Sequence, residues 1–416
     1  MSVLRIAGGS RLNGSVRVHG AKNSVLPILA ATLVGSGESV IRNCPEIADV
    51  EAAFNILRHI GCTARRDGGE VVVGAADVTG CEIPHSLMRE MRSSVIFLGA
   101  ILGRCGKAVI SSPGGCELGP RPVDMHLAAL RELGADVSEE SGNIICRCGR
   151  LRGAKITLRL PSVGATENTM LAACFADGTT VISNAAREPE NSDLQSFLRE
   201  LGVSVYGAGT STVTVEGNRV KTGAEHRVIP DRIAAATYAC AAAATAGDIE
   251  ITDAEPRHLA SVLSALRGMG CAVSVSHDRI RIAAPEGLSS LPPISTEPYP
   301  GFPTDAQAQL MAVSLKAQGT TSFIENIFQS RYAHALEMRR FGANIKIEGK
   351  VALVTGVAKL AGAPVTAPDL RGGAALVIAG LSAEGITEVS EPSHIDRGYE
   401  CIESSLREIG ADIERI

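Results

Sequence analysis

The sequence predicts an α/β protein of two domains, each built from three copies of one helix-and-strand unit. Three observations predict it. The first is a signature used six times: an apolar residue, Arg, two further residues, Gly and a small residue. It reads Leu57-Arg58-His59-Ile60-Gly61, Leu130-Arg131-Glu132-Leu133-Gly134 and Leu198-Arg199-Glu200-Leu201-Gly202, then Leu266-Arg267-Gly268-Met269-Gly270, Met338-Arg339-Arg340-Phe341-Gly342 and Leu406-Arg407-Glu408-Ile409-Gly410. The glycines stand 73, 68, 68, 72 and 68 residues apart. Solenoid repeats run about 20 to 50 residues, so this period is a whole supersecondary unit. The second observation is an apolar helix pattern that recurs in the other half of each unit. The third is a polar join near Gly217–Pro230 that divides the six units three and three. Together the six units exceed one domain of ordinary size.

Taken in order, each unit is justified locally. The signature ends an amphipathic helix: its Gly suits the left-handed residue past the helix, and its Arg sits in the last turn near the negative dipole end. A strand follows, as in Asp136-Val137-Ser138, Val203-Ser204-Val205 and Asn344-Ile345-Lys346-Ile347. The apolar helices are expected at 26–34, 95–103, 168–175, 233–246, 306–316 and 373–381. They are rich in Ala and good helix formers, and they stop before Gly37, Gly106, Gly178, Gly247, Gly319 and Gly385. Strand-like runs come next, such as Ser39-Val40-Ile41, Ala108-Val109-Ile110 and Thr180-Val181-Ile182. A helix apolar nearly all round belongs in a core, and one with an Arg/Glu face belongs outside. The expected domains are 21–229, and 1–20 with 230–416. Two strand-like runs in the first 20 residues lie outside the repeat, and their partners are open.

Composition narrows the function classes. At 416 residues and 45% apolar the chain can build full cores. A formal charge of −5, no Trp and 3% aromatics leave no footprint for nucleic acid and little for stacking bases. No apolar run approaches the ~18–20 residues of a membrane span. The N-terminus lacks the basic start and apolar stretch of a secretory signal. Eleven Cys, an odd number scattered through helix patterns, fit a reducing cytoplasm and buried structural thiols. Cys146 and Cys148 fall on opposite faces of a strand, which is poor zinc spacing.

The two longest gaps carry the chemistry-bearing candidates. The first holds Ser111-Ser112-Pro113-Gly114-Gly115-Cys116-Glu117-Leu118-Gly119-Pro120-Arg121-Pro122-Val123-Asp124, a Pro/Gly loop leading into a helix. A loop thiol near an Arg and a helix start is where reactivity is expected, although Glu117 opposes it. Cys116 is either catalytic or an incidental exposed Cys. The second gap holds Tyr299-Pro300-Gly301-Phe302-Pro303-Thr304-Asp305, with Asp305 at the start of an apolar helix. Asp305 is either a helix cap or a catalytic carboxylate. The turns leading into the apolar helices carry Lys22-Asn23, Arg92-Ser93-Ser94, Ser162-Val163-Gly164, Asp231-Arg232, Thr304-Asp305 and Asp369-Leu370-Arg371. Converging helix N-termini with added cations suit a phosphorylated or carboxylated small molecule, whereas any one Arg alone suits a solvated salt bridge.

At these residues the chain resembles the enolpyruvyl transferases over essentially its whole length. The motifs are Gly20-Ala21-Lys22-Asn23, Pro113-Gly114-Gly115-Cys116 with Gly119 and Arg121 to Asp124, Ser162 to Thr166, and Asn184 to Glu190. They continue in Pro303-Thr304-Asp305, Asn326-Ile327-Phe328 with Arg331, Asp369 to Gly373 and Asp396-Arg397-Gly398. The resemblance implies two inside-out α/β barrel domains of three βαβαββ-like repeats each. It implies transfer of the enolpyruvyl group of phosphoenolpyruvate to the 3′-hydroxyl of UDP-N-acetylglucosamine with release of phosphate, the first committed step of peptidoglycan synthesis. Lys22, Asn23, Arg121 and Arg397 match the phosphoenolpyruvate-binding positions. Arg92, Arg121, Pro122, Val123, Asp124, Met125, Ser162, Val163, Gly164, Asp305 and Ile327 match positions that hold the UDP-sugar. Cys116 matches the loop thiol that protonates the substrate methylene and forms a covalent adduct with phosphoenolpyruvate. Asp305 matches the proposed base, and Arg331, Asp369 and Arg371 match further cleft residues. Neither a metal nor any other cofactor is implied, the partners are the two small-molecule substrates, and the oligomeric state is open.

One departure matters. Some relatives carry a Lys shortly before the Ser-Val-Gly turn, where Leu160-Pro161 stand here. The rival readings are the shikimate-type enolpyruvyl transferase and a non-catalytic six-repeat scaffold. The Gly-Gly-Cys loop and the Lys22-Asn23 pair argue against the first; Lys22, Cys116, Asp305 and Arg397 together argue against the second. Because Cys116 and Asp305 fall in opposite halves of the repeat array, the chemistry is expected to require both domains.

Overall fold

A computed structural model describes residues 2–91, 93–111, 123–217 and 222–416. These divide into two compact units. One holds described residues from 20 to 229, and the other holds 2–19 with 230–416. Gly20, expected with the first twenty residues, belongs instead with 20–229. It packs so tightly on Asn43 that a Cβ there would lie 1.8 Å from the Asn43 carbonyl oxygen.

Within the unit of residues 20–229, the repeat is plain in Glu82–Ile83, the helix Phe97–Cys105, the strand Lys107–Ser111, the helix Asp124–Glu132 and the hairpin Asp136–Glu140 with Asn143–Arg147. The short strand lies parallel to Lys107–Ser111, which pairs antiparallel with the second hairpin strand. The same four-stranded order appears six times, once in each of six separate sheets. The mixed α/β class and the βαβαββ order are thus present. No sheet among the described residues closes on itself: each unit is three separate sheets laid over its own buried helices, which is the inside-out arrangement expected. The strands alternate buried and exposed residues, as in Ile386–Ser390, so each sheet covers helices with one face and presents the other to water.

Three sheets are completed from far along the chain. Val3–Ala7 lies between Ile386–Ser390 and Asp412–Arg415, and Asn13–Arg17 runs parallel to Asp248–Thr252. Glu225–Arg227 runs parallel to Glu38–Arg42, so the join contains a strand.

The apolar helices pack on one another inside each unit. They are Lys22–Ala31, Phe97–Cys105 and Val163–Ala173 in one unit, and Arg232–Ala244, Thr304–Ser314 and Leu370–Ser382 in the other. Five of the six begin one to five residues before the expected apolar run, because their first turns are already helical, whereas Phe97–Cys105 begins two residues after it. Small residues permit close approach: a Cβ on Gly99 would lie 2.3 Å from the Asn168 carbonyl oxygen of the neighbouring helix. No described helix is long and apolar enough to cross a membrane.

The signature has a sharper meaning than a dipole contact. All six of its glycines have positive φ, between 88° and 106°. The Arg reaches past the turn to a carbonyl six residues on: Arg58 to Ala64, Arg131 to Val137, Arg199 to Val205, Arg267 to Val273 and Arg339 to Ile345. Five guanidinium groups thereby tie a helix end to the strand that follows. Arg407, in the sixth copy, bonds the Glu403 carbonyl of its own helix instead.

Candidate active site

In the unit 20–229, Lys22 opens its apolar helix after Ala21, which adopts an extended conformation. Its Nζ lies 2.8 Å from Oδ2 of Asp49, and both side chains are almost fully buried. A buried ammonium keeps its charge only with such a partner. Asn23 follows it in the same first turn. Asp49 escaped notice in the sequence because an acid in the first turn of a helix is ordinary.

The Ser162-Val163-Gly164 turn starts the helix Val163–Ala173, and the Ser162 hydroxyl accepts from the Ala165 N–H at 3.3 Å. Asp124 starts the helix Asp124–Glu132 and pairs with Arg159 at 3.0 Å; Val123 and Met125 beside it are half-buried. His126 joins these two helices. Asn168 donates to its Nδ1 at 3.0 Å, and a Cβ on Gly164 would lie 3.2 Å from its Cε1. Burial pushes the His126 pKa down to about 4, against the pull of Asp124, so the ring is neutral at pH 7. The Glu167 carboxyl, in the same helix as Gly164, lies well above the usual carboxylate range because of burial, with Glu190 and Glu188 adding to the shift. Cys116, Arg121, Pro122 and Arg92 lie outside the described residues.

In the other unit, Asp305 does not cap its helix: Thr304–Ser314 has Pro303 at the cap position and no side-chain cap bond. Its carboxylate lies between two buried guanidinium groups, with Arg331 at 3.0 Å from Oδ1 and Arg371 at 3.3 Å from Oδ2. Burial alone would lower the Arg371 pKa, but the charges of Asp305, Tyr399 and Asp231 and the hydrogen bond to Tyr399 together outweigh it and hold the group above the ordinary arginine range. Arg371 also donates to the Tyr399 hydroxyl at 3.3 Å, which exchanges a 2.8 Å bond with Thr237. Asp369 does cap its helix, accepting from the N–H groups of Arg371 and Gly372 at 2.9 and 3.1 Å. Its charge opposes the effect of burial on His334, whose pKa nevertheless falls to about 4. Ile327 is 42% exposed, and Arg397 is half-buried. Thus Asp305, Arg331, Asp369 and Arg371 are one connected cluster, while Ile327 stands on a nearby turn.

The family model described as EPSP synthase (3-phosphoshikimate 1-carboxyvinyltransferase) matches residues 6–406. The chain belongs to this enolpyruvyl transferase family. Among relatives of this enolpyruvyl transferase, UDP-N-acetylglucosamine 1-carboxyvinyltransferase 2 of Caldanaerobacter subterraneus is 51% identical, with 100% of each chain covered. The same-named enzyme of Halorhodospira halophila is 45% identical, again over 100% of each chain. Among solved structures, the enolpyruvyl transferase NikO from Streptomyces tendae superposes with a TM-score of 0.90 at 26% identity, covering 100% of this chain and 98% of that one. An EPSP synthase from Acinetobacter baumannii, at 19% identity and TM-score 0.77 over 100% of each chain, shares the fold.

Proposed function

We propose that this chain transfers the enolpyruvyl group of phosphoenolpyruvate to the 3′-hydroxyl of UDP-N-acetylglucosamine, releasing phosphate, as the first committed step of peptidoglycan synthesis in the cytoplasm. The observation that carries the proposal is Asp305. It stands past the cap position, and two buried arginines hold it at the start of an apolar helix. A carboxylate fixed in that way is equipped to take a proton from a hydroxyl group. Full-length relatives bearing the name of this activity support the choice of acceptor.

The chemistry assigns each group a task. Cys116 protonates the methylene carbon of phosphoenolpyruvate, leaving oxocarbenium character on the neighbouring carbon. The sugar 3′-oxygen attacks that carbon while Asp305 takes its proton, giving a tetrahedral ketal. Loss of a proton from the new methyl group and departure of phosphate restore the double bond. In this proposal Lys22, Arg121 and Arg397 hold the phosphate and carboxylate of phosphoenolpyruvate, with Asn23 beside Lys22. Arg92, the Arg121–Met125 and Ser162–Gly164 segments and Ile327 hold the UDP-sugar. Arg331 and Arg371 orient Asp305, and Asp369 orders the backbone that presents Arg371. Water must be excluded while the activated enol exists.

The family model's description names a shikimate acceptor, so acceptor choice is the decisive test. Phosphate release is measured with phosphoenolpyruvate and either UDP-N-acetylglucosamine or shikimate 3-phosphate. Release with the nucleotide sugar alone is expected; release only with shikimate 3-phosphate, or with neither, refutes the proposal.

A further inference from the structure

We propose that Glu325 is a positioning residue for the acceptor half of the reaction, fixing the base Asp305 and the Ile327 turn relative to each other. The inference rests on the roles just given to Asp305 and Ile327. Glu325 directly follows the strand Thr320–Ile324, and its side chain is almost fully buried. A buried carboxylate is costly unless its oxygens are satisfied, and here four donors converge on it. The donors are two hydroxyls and two backbone amides. Oε1 accepts from the Thr296 hydroxyl at 2.9 Å and from the N–H groups of Ile327 and Phe328 at 2.8 and 3.1 Å. Oε2 accepts from the Thr304 hydroxyl at 3.0 Å.

Those partners are the local frame of the acceptor chemistry. Thr304 is the residue before Asp305. The Ile327 and Phe328 amides form the turn that carries the exposed Ile327 side chain. Arg331, which bonds Asp305, also donates to the Thr304 carbonyl at 3.3 Å and stands over the Phe328 ring with its guanidinium carbon 5.4 Å from the centroid. Thr296 closes the frame by accepting from the Asn326 N–H at 2.9 Å. One carboxylate therefore sets the backbone before Asp305, the turn bearing Ile327 and the ring beneath Arg331. It acts through these groups and need not touch substrate.

The two oxygens divide the work, and this gives the test. Thr304→Val cuts only the Oε2 bond and keeps side-chain shape, so kcat falls about tenfold while KM for UDP-N-acetylglucosamine stays near wild type. Glu325→Gln removes the charge that all four donors share and exchanges one acceptor oxygen for an NH2 donor, so kcat falls and KM for the nucleotide sugar rises, with KM for phosphoenolpyruvate moving less than about twofold. Glu325→Ala deepens both effects relative to Gln. Thermal unfolding of each variant accompanies the kinetics. Variants that melt earlier but turn over normally, or that raise both KM values equally, overturn the inference. Wild-type protein inactive with UDP-N-acetylglucosamine removes the functional reading itself, and this inference with it. Active wild type with kinetically normal variants removes the inference alone.

Discussion

Asp305 and Lys22 show how one charged residue can be read from its partner. Each stands at the start of an apolar helix, and each is paired with opposite charge from elsewhere in its own unit, Arg331 and Arg371 for the first and Asp49 for the second. Lys22→Ala is expected to raise KM for phosphoenolpyruvate more than KM for the nucleotide sugar. It also strands Asp49 in the interior, so stability falls by about 3 kcal/mol; equal KM changes in steady-state assays count against the assignment. The thiols make a second residue-scale prediction. Burial pushes Cys62, Cys146 and Cys271 up to about 11, leaving them almost wholly protonated and unreactive at pH 7. An alkylating epoxide such as fosfomycin is expected to inactivate the enzyme through Cys116, seen as an adduct on that residue by peptide mass spectrometry. Inactivation without an adduct on Cys116 contradicts this. Asp305 was legible in the sequence as a candidate, but the two arginines that hold it were not, because they lie 26 and 66 positions away. Glu325 gave no signal at all: a buried carboxylate is spelled like a solvated one.

At the scale of elements, the six-fold signature was legible because every part of it acts locally. Glycine relieves the left-handed residue after the helix, and in five of the six copies the Arg completes the turn by bonding a carbonyl six residues on. Sheet completion was not legible. The pairing of Glu225–Arg227 with Glu38–Arg42, or of Val3–Ala7 with Asp412–Arg415, depends on contacts across most of a unit, and no residue near either strand announces its partner. Helix packing yields a direct prediction. Gly99→Ala places a methyl group against the Asn168 backbone, which cannot move without shifting its helix. A loss of about 1–3 kcal/mol is expected in urea unfolding. Wild-type stability would show that the two helices separate freely. Arg58→Met removes the guanidinium bonds to the Ala64 carbonyl, 2.6 and 3.1 Å long, at a smaller expected cost of about 1 kcal/mol because the group is partly solvated.

For the whole molecule, buried histidines set an acid limit in each unit. His126 and His334 have pKa values depressed to about 4, so between pH 6.5 and 4 the unfolded chain binds protons that the folded chain refuses. Their contribution is present above the unfolded pKa and is lost as pH falls, on the order of 1–3 kcal/mol each. His226 behaves oppositely. Burial lowers its pKa, but hydrogen bonds and charges from Asp193 and Glu200 outweigh that and raise it, so its contribution is full at low pH and fades as pH rises through the raised value. Urea unfolding across pH should therefore show an acid decline that His126→Gln and His334→Gln each reduce; an unchanged decline in both variants refutes the assignment. The central claim is transfer of an enolpyruvyl group to UDP-N-acetylglucosamine, and the most direct measurement is the mass spectrum of the nucleotide sugar after incubation with enzyme and phosphoenolpyruvate. The account predicts a nucleotide heavier by one enolpyruvyl group, formed in equal amount to the phosphate released and absent with Cys116→Ser. A nucleotide of unchanged mass would contradict it.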